Sequence, residues 1–164
     1  MVVRVLTEPE LSIVKHLAYK IWPVAYQSIL TKEQMDYMLN WMYSIETLEK
    51  NYNSGHSFFC ITENNSDIGF LDVEINHPKN GNMKIHKIYV LPEFHGKGVG
   101  FQLLNEAKKF ALKNNMESIS LQVNRNNNAL NFYLRYGFEI IDEQDFDIGG
   151  GYFMNDYVMK LNLD

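Results

Sequence analysis

The chain is short of cysteine, of proline and of basic charge, and each shortage excludes something. Its single cysteine, Cys60, rules out an intrachain disulfide and a CxxC metal site. Cys60 sits in the apolar run SFFCIT and reads as a buried core thiol. Lys and Arg number 15 against 20 Asp and Glu, a net charge of -5. Nucleic-acid binding is driven by cationic side chains neutralising phosphates, so no nucleic-acid partner is expected. No run approaches the ~20 apolar residues of a membrane span, and MVVRVLTEPE has no apolar leader core. A soluble cytoplasmic protein with no membrane partner is expected. No His, Cys, Asp or Glu cluster has metal-ligand spacing along the chain, so no metal is expected. At 164 residues and 46% hydrophobic content, the chain suits a single domain, residues 1–164, with a full core.

The apolar periodicity predicts the elements. VVRVL reads as a strand. A helix follows over TEPELSIVKHLAYKIW, with Thr7 and Glu10 spaced as a capping box and Pro23 ending or kinking it. TKEQMDYMLNWM repeats the pattern with Thr31 and Gln34. Strands are predicted over SFFCITE, IGFLDVEIN and MKIHKIYVL, the last two joined by a turn at Asn80-Gly81. After Pro92, the residues Val99, Leu103, Leu104, Ala107 and Ala111 recur on one helical face. SISLQVN alternates as a strand, NNALNFYLRYG is a short helix closed by Gly137, and FEIIDE and YFMNDYVMKLNL are the last strands. The run 149–151 reads as a turn between them. The order is β-α-α-β-β-β-α-β-α-β-β.

Within HGKGVG, Gly96, Gly98 and Gly100 stand directly before a helix. Glycine costs conformational entropy there, so something requires bare backbone. At a helix N-terminus that something is an anion, held by free N–H groups and the helix dipole. Lys97 and His95 can add positive charge at the rim. The spacing lacks the four intervening residues and the Ser or Thr of a P-loop. It also lacks the second residue before the last glycine of a dinucleotide fingerprint. A second motif, NRNNNALNFYLRYGF, places Asn126 near a helix N-cap, with Ala129 and Tyr133 one turn apart on one face. Taken alone, Tyr133 also fits a core position.

Together the two motifs resemble the GNAT superfamily of acyl-CoA-dependent N-acyltransferases. The family's Gln/Arg-x-x-Gly-x-Gly/Ala appears as His95-Gly96-Lys97-Gly98-Val99-Gly100, with His95 where Gln or Arg is usual. Its Asn-x-x-Ala-x-x-x-Tyr-x-x-x-Gly-Phe pattern appears as Asn126, Ala129, Tyr133, Gly137 and Phe138. The resemblance covers residues 57 to 141. It implies an α/β (α+β) fold with a mixed, mostly antiparallel central sheet, splayed at the cofactor strands.

The resemblance also implies an activity: acetyl transfer from acetyl-CoA to a primary amine by direct attack on the thioester. The acceptor is a small molecule, a polyamine or a peptide or protein amine. The pyrophosphate is expected on the N–H groups of residues 95–100, with Gly98 and Gly100 bare to leave phosphate space. The pantetheine arm is expected along Ile88, Tyr89 and Val90. Asn126 and Tyr133 complete the cofactor contacts, with Tyr133 as general acid. For the base, Glu74, His86 and Asp72 lie on central strands, and alternation puts His86 on the face of Ile88 and Val90. Trp22, Tyr26, Tyr37, Trp41 and Tyr43 read as a pocket wall, as core, or as the interface of a homodimer. The acidic balance leans toward a cationic acceptor. A non-catalytic acyl-CoA-binding or sensory module of the same fold is the alternative reading, and a purely structural domain a third.

Overall fold

The computed structural model describes residues 1–164. The strands are β1 (Val2–Val5), β2 (His56–Glu63), β3 (Ser66–Ile75), β4 (Asn82–Val90), β5 (Ser118–Asn124), β6 (Glu139–Gly149) and β7 (Tyr152–Asn162). The helices are α1 (Ser12–Ala25), α2 (Lys32–Tyr43), α3 (Ile45–Asn53), α4 (Val99–Lys113) and α5 (Ala129–Tyr136). One sheet runs in the order β1-β2-β3-β4-β5-β7-β6, and β4–β5 is its parallel pair. The other pairs are antiparallel.

Each sheet face carries its own core. On one, the α4 stripe Val99, Leu103, Leu104, Ala107 and Ala111 packs on Ile85, Ile119 and Leu121, as the strand alternation requires. On the other, Val14, Leu17, Ala18 and Ile21 of α1 pack with Met38, Leu39 and Tyr43 of α2 over Phe58, Cys60 and Phe70. Cys60 is buried, as its apolar setting predicts.

The helical half differs from expectation in three ways. Thr7 and Glu10 do form a capping box, but it closes a single 3₁₀ turn, and α1 begins only at Ser12. Pro23 does not end α1, which runs on to Ala25. Proline sacrifices one N–H bond, and the next turn recovers, with Tyr26 N donating to Trp22 O at 3.0 Å. A third helix, α3, precedes β2, so the order is β-α-α-α-β-β-β-α-β-α-β-β. It is capped by Ser44, whose hydroxyl accepts from Thr47 N, yet it buries only Leu48. One buried residue in nine leaves too little periodicity to read.

What positions the site is a failure of pairing. β4 and β5 are in register from Asn82↔Ser118 to Ile85↔Leu121 and no further. Beyond Ile85, β4 stays paired to β3, and β5 stays paired to β7 as far as Asn124↔Asp156. The two strands therefore splay, and the β5-facing edge of residues 86–90 has no strand partner.

Candidate active site

A cleft of ≈ 1040 Å³ opens through this splay. β4, the glycine turn, β5, α5 and the helices α1 and α2 all contribute to its walls. The glycine turn has the geometry of an anion cradle. Gly96 and Gly98 have φ of +75° and +79°, which side chains rarely adopt, and a Cβ on either would meet nothing within 4 Å. Gly98 is the N-cap of α4. His95 N bonds back to Pro92 O, and the next amide with an acceptor is that of Gln102, on Gly98 O. The amides of residues 96–101 are thus free, as at any helix start. No acidic residue sits in the first turn of α4 to compete. This arrangement fits the diphosphate of a nucleotide-type cofactor.

Gly100 has a different reason to be bare. Its Cβ would lie 3.2 Å from the Phe132 ring, so helix packing requires it bare. The two rim side chains are also engaged elsewhere. His95 Nε2 donates to Val90 O at 2.9 Å, which pins the turn to the end of β4. Lys97 leans over the Phe94 ring at 5.0 Å and does not line the cleft. Arg135, which the sequence motif passed over, does line it. Ile88, Tyr89, Val90, Val99 and Asn126 line it. Asn126 is not the cap of α5: Asn128 is the N-cap, and Asn127 Oδ1 accepts from Ala129 N.

Tyr133 is both buried in the core and part of the cleft wall. Its ring is buried and packs 5.9 Å from that of Phe138, closing the core over α5. Its hydroxyl makes no hydrogen bond within the protein, and the residue lines the cleft. Burial raises its pKa well above the usual phenol value, so it stays protonated.

The base candidates separate. A β-bulge interrupts the β3–β4 register between Asp72/Val73 and shifts the phase of β4. His86 is turned to the α1 face, away from Ile88 and Val90, where its ring stacks on His56 at 4.3 Å. This corrects the simple alternation. His86 lines the cleft, but burial drives its pKa down to about 4. Glu74 does not line the cleft. Its Oε2 is met by His86 Nε2 at 2.8 Å and His56 Nε2 at 3.2 Å. Asp72 is fully buried under Lys87 Nζ and His56 Nδ1, both at 2.7 Å. Burial works to raise its pKa, but Lys87 and the two imidazoles overcome this and hold it low.

A different carboxylate stands at the cleft. Asp156 of β7 is 2% exposed, pairs with Asn124 across the sheet and lines the cavity. Burial raises its pKa to about 6, against the pull of Arg125 and Lys84. Nothing in the sequence marked it, because β7 comes next to β5 only in the folded sheet.

The aromatics divide. Trp22 and Tyr43 are core. Tyr37 donates to Ile148 O at 2.9 Å and presses on the glycine turn 149–151, seating the β6–β7 hairpin on α2. Tyr26 and the half-exposed Trp41 face the cleft.

The comparisons agree with this geometry. The acetyltransferase (GNAT) family matches over residues 16–138. An uncharacterised N-acetyltransferase of Methanocaldococcus jannaschii is 36% identical over 87 residues, which cover 50% of this chain and only 38% of that protein. The spermidine N(1)-acetyltransferase of Thermoplasma acidophilum is 26% identical over 151 residues, 88% of this chain and 92% of the other. The crystal structure of the PaiA N-acetyltransferase of Thermoplasma acidophilum, in complex with coenzyme A, superposes with a TM-score of 0.82. Its identity is 24%, with 99% and 100% of the two chains covered. The ribosomal-protein-S18-alanine N-acetyltransferase of Escherichia coli superposes at 0.74 with 17% identity over 98% and 92%. Given the match across three quarters of its length, a splayed β4–β5 pair and a glycine cradle before α4, the chain belongs to the acetyltransferase (GNAT) family.

Proposed function

We propose that this protein transfers the acetyl group of acetyl-CoA to a primary amine of a linear, cationic polyamine. One observation carries the reading. The glycine turn with its free amides at 96 and 98–101, the unpaired edge of β4 and the buried Asp156 border a single cleft. The likeness to a spermidine N(1)-acetyltransferase over nearly the whole of both chains supports the acceptor class. The fold shared with a structure in complex with coenzyme A supports the cosubstrate. The net charge of -5 and the cleft-facing Tyr26 and Trp41 favour a cation.

In this reading the amides of residues 96–101 hold the diphosphate, with Arg135 at the rim, and residues 86–90 offer their free backbone edge to the pantetheine arm. Acetyl-CoA, when bound, supplies a thioester carbonyl open to attack by an amine. Free alkylammonium groups have a pKa of about 10.4, so a proton must be removed before attack. Asp156 is the residue suited to take it. A carboxylate with a pKa of about 6 is ionised at neutral pH and is more basic than an exposed one. Tyr133 keeps its proton and can donate it to the departing sulfur. Glu74 acts as neither.

The test is thiol release from acetyl-CoA across a panel of amines, with CoA binding measured separately by calorimetry. Spermidine and its longer and shorter homologues should be turned over, with neutral amines poor substrates. CoA binding with no thiol release from any amine would return the reading to a non-catalytic acyl-CoA-binding module.

A further inference from the structure

Three of the five histidines converge on one carboxylate oxygen. Glu74 Oε2 lies 2.8 Å from His86 Nε2, 3.2 Å from His56 Nε2 and 3.4 Å from His77 Nδ1. They come from β2 (His56), β3 (Glu74), β4 (His86) and the loop after β3 (His77). This is why spacing along the chain gave no reason to expect a metal. The ligand atoms of His56, Glu74 and His86 all lie within 4.8 Å of one another. A tetrahedral zinc ion with bonds of 2.0–2.1 Å needs neighbouring ligands about 3.3 Å apart. The Glu74 contacts bracket that value.

We propose that His56, Glu74 and His86 form a Zn²⁺ site, with His77 as the fourth ligand closing it from the loop. Two further features fit. His56 has a carboxylate on each ring nitrogen: Asp72 Oδ1 2.7 Å from Nδ1 and Glu74 on Nε2. With a cation at Nε2, the Nδ1–H donates to Asp72 and the Nε2 lone pair ligates, so each nitrogen has one partner. Asp72 is itself fixed, fully buried and held by Lys87 Nζ at 2.7 Å. A buried carboxylate orienting a ligating imidazole is the usual support of a zinc ligand. The site is also reachable from outside. The side chains of Glu74 and His77 are 22% and 41% exposed, while His56 is 9% exposed. The stacked rings of His56 and His86, 19° from parallel, need only a rotation about χ2, a broad torsion, to aim both nitrogens at one ion. Bound there, the ion ties β2, β3 and β4 together beside the cleft.

The experiment uses the untagged full-length chain, stripped with a chelator and titrated with Zn²⁺ against a chromophoric competitor, then with Co²⁺ for its visible spectrum. We expect one Zn²⁺ per chain, a tetrahedral Co²⁺ band, and a rise in melting temperature with added Zn²⁺. His86→Ala and Glu74→Gln should each abolish the Co²⁺ band. Asp72→Asn should weaken Zn²⁺ by about 10–100-fold, the usual effect of losing a carboxylate behind a ligand. His16→Ala, altering an exposed histidine of α1, should change nothing. Melting curves identify any variant that fails to fold, and the parent titration stands whatever they show. Absence of stoichiometric Zn²⁺ binding by the parent would overturn the site, as would unchanged binding in folded His86→Ala and Glu74→Gln.

Discussion

The hydroxyls of Tyr26 and Tyr89 lie 2.8 Å apart. One stands just beyond α1 and the other on β4, so this bond joins two walls of the cleft. Tyr89 thus turns its ring into the aromatic cluster with Trp22 and Phe70.

Tyr26→Phe removes that bond and leaves the ring packing. A hydrogen bond of this kind contributes about 1 kcal/mol net. KM for the amine should rise by about fivefold, the factor that energy gives, with CoA affinity and melting temperature close to the parent's. Steady-state kinetics beside CoA calorimetry check it. A loss of CoA affinity equal to the rise in KM would show that Tyr26 supports β4 and not the acceptor.

Gly98→Asp should abolish CoA binding in a folded protein. The φ of +79° costs an L-residue about 1–2 kcal/mol, and Asp is among the side chains that tolerate it best. The open space beside Gly98 admits the side chain, whose charge then opposes a diphosphate. Gly100→Ala should act differently. Its Cβ presses on Phe132 at 3.2 Å, so melting temperature falls before CoA affinity does. Calorimetry and melting curves on the two variants separate the cradle from the packing.

Tyr133→Phe keeps the buried ring against Phe138 and deletes an unbonded hydroxyl. Stability should therefore hold while kcat falls by roughly 10²–10⁴, the range for a lost general acid. The measurement is kcat at saturating amine. Full activity in the stable variant would move the acid to another group.

Asp156 sets the pH dependence. Its folded pKa of about 6 lies above its ordinary 3.8, so the fold favours the protonated form. Stability from this group is present below pH 4 and is lost as pH rises through 6. Activity runs the opposite way, since the base must be ionised: kcat/KM should climb with an inflection near pH 6. Asp156→Asn should flatten that limb and lower kcat by about 10²–10⁴. It should melt higher than the parent above pH 6 and alongside it below pH 4. Lys84, Arg125 and Tyr26, the charged and titratable groups coupled to Asp156, are unchanged in this variant.

The sequence by itself determined the glycine turn before α4 and the place of Tyr133 on α5. Positive φ at Gly96 and Gly98 and the αL cap at Gly137 are local demands of the backbone that glycine meets. Ala129 and Tyr133 share a face because helical spacing alone puts them there. The strands were legible for the same reason, their alternation being written into neighbouring residues. The third helix was not, since Leu48 alone is buried, and neither was the run of α1 through Pro23, where tertiary packing overrides a local breaker. The placement of Asp156 at the cleft and the histidine cluster belonged wholly to the tertiary structure. The bulge opposite Asp72/Val73 turns His86 toward Glu74 and His56, and no periodicity survives a shifted register. Asp156 reaches the cleft only because β7 inserts beside β5, and its raised pKa comes from burial, which is a property of the whole fold.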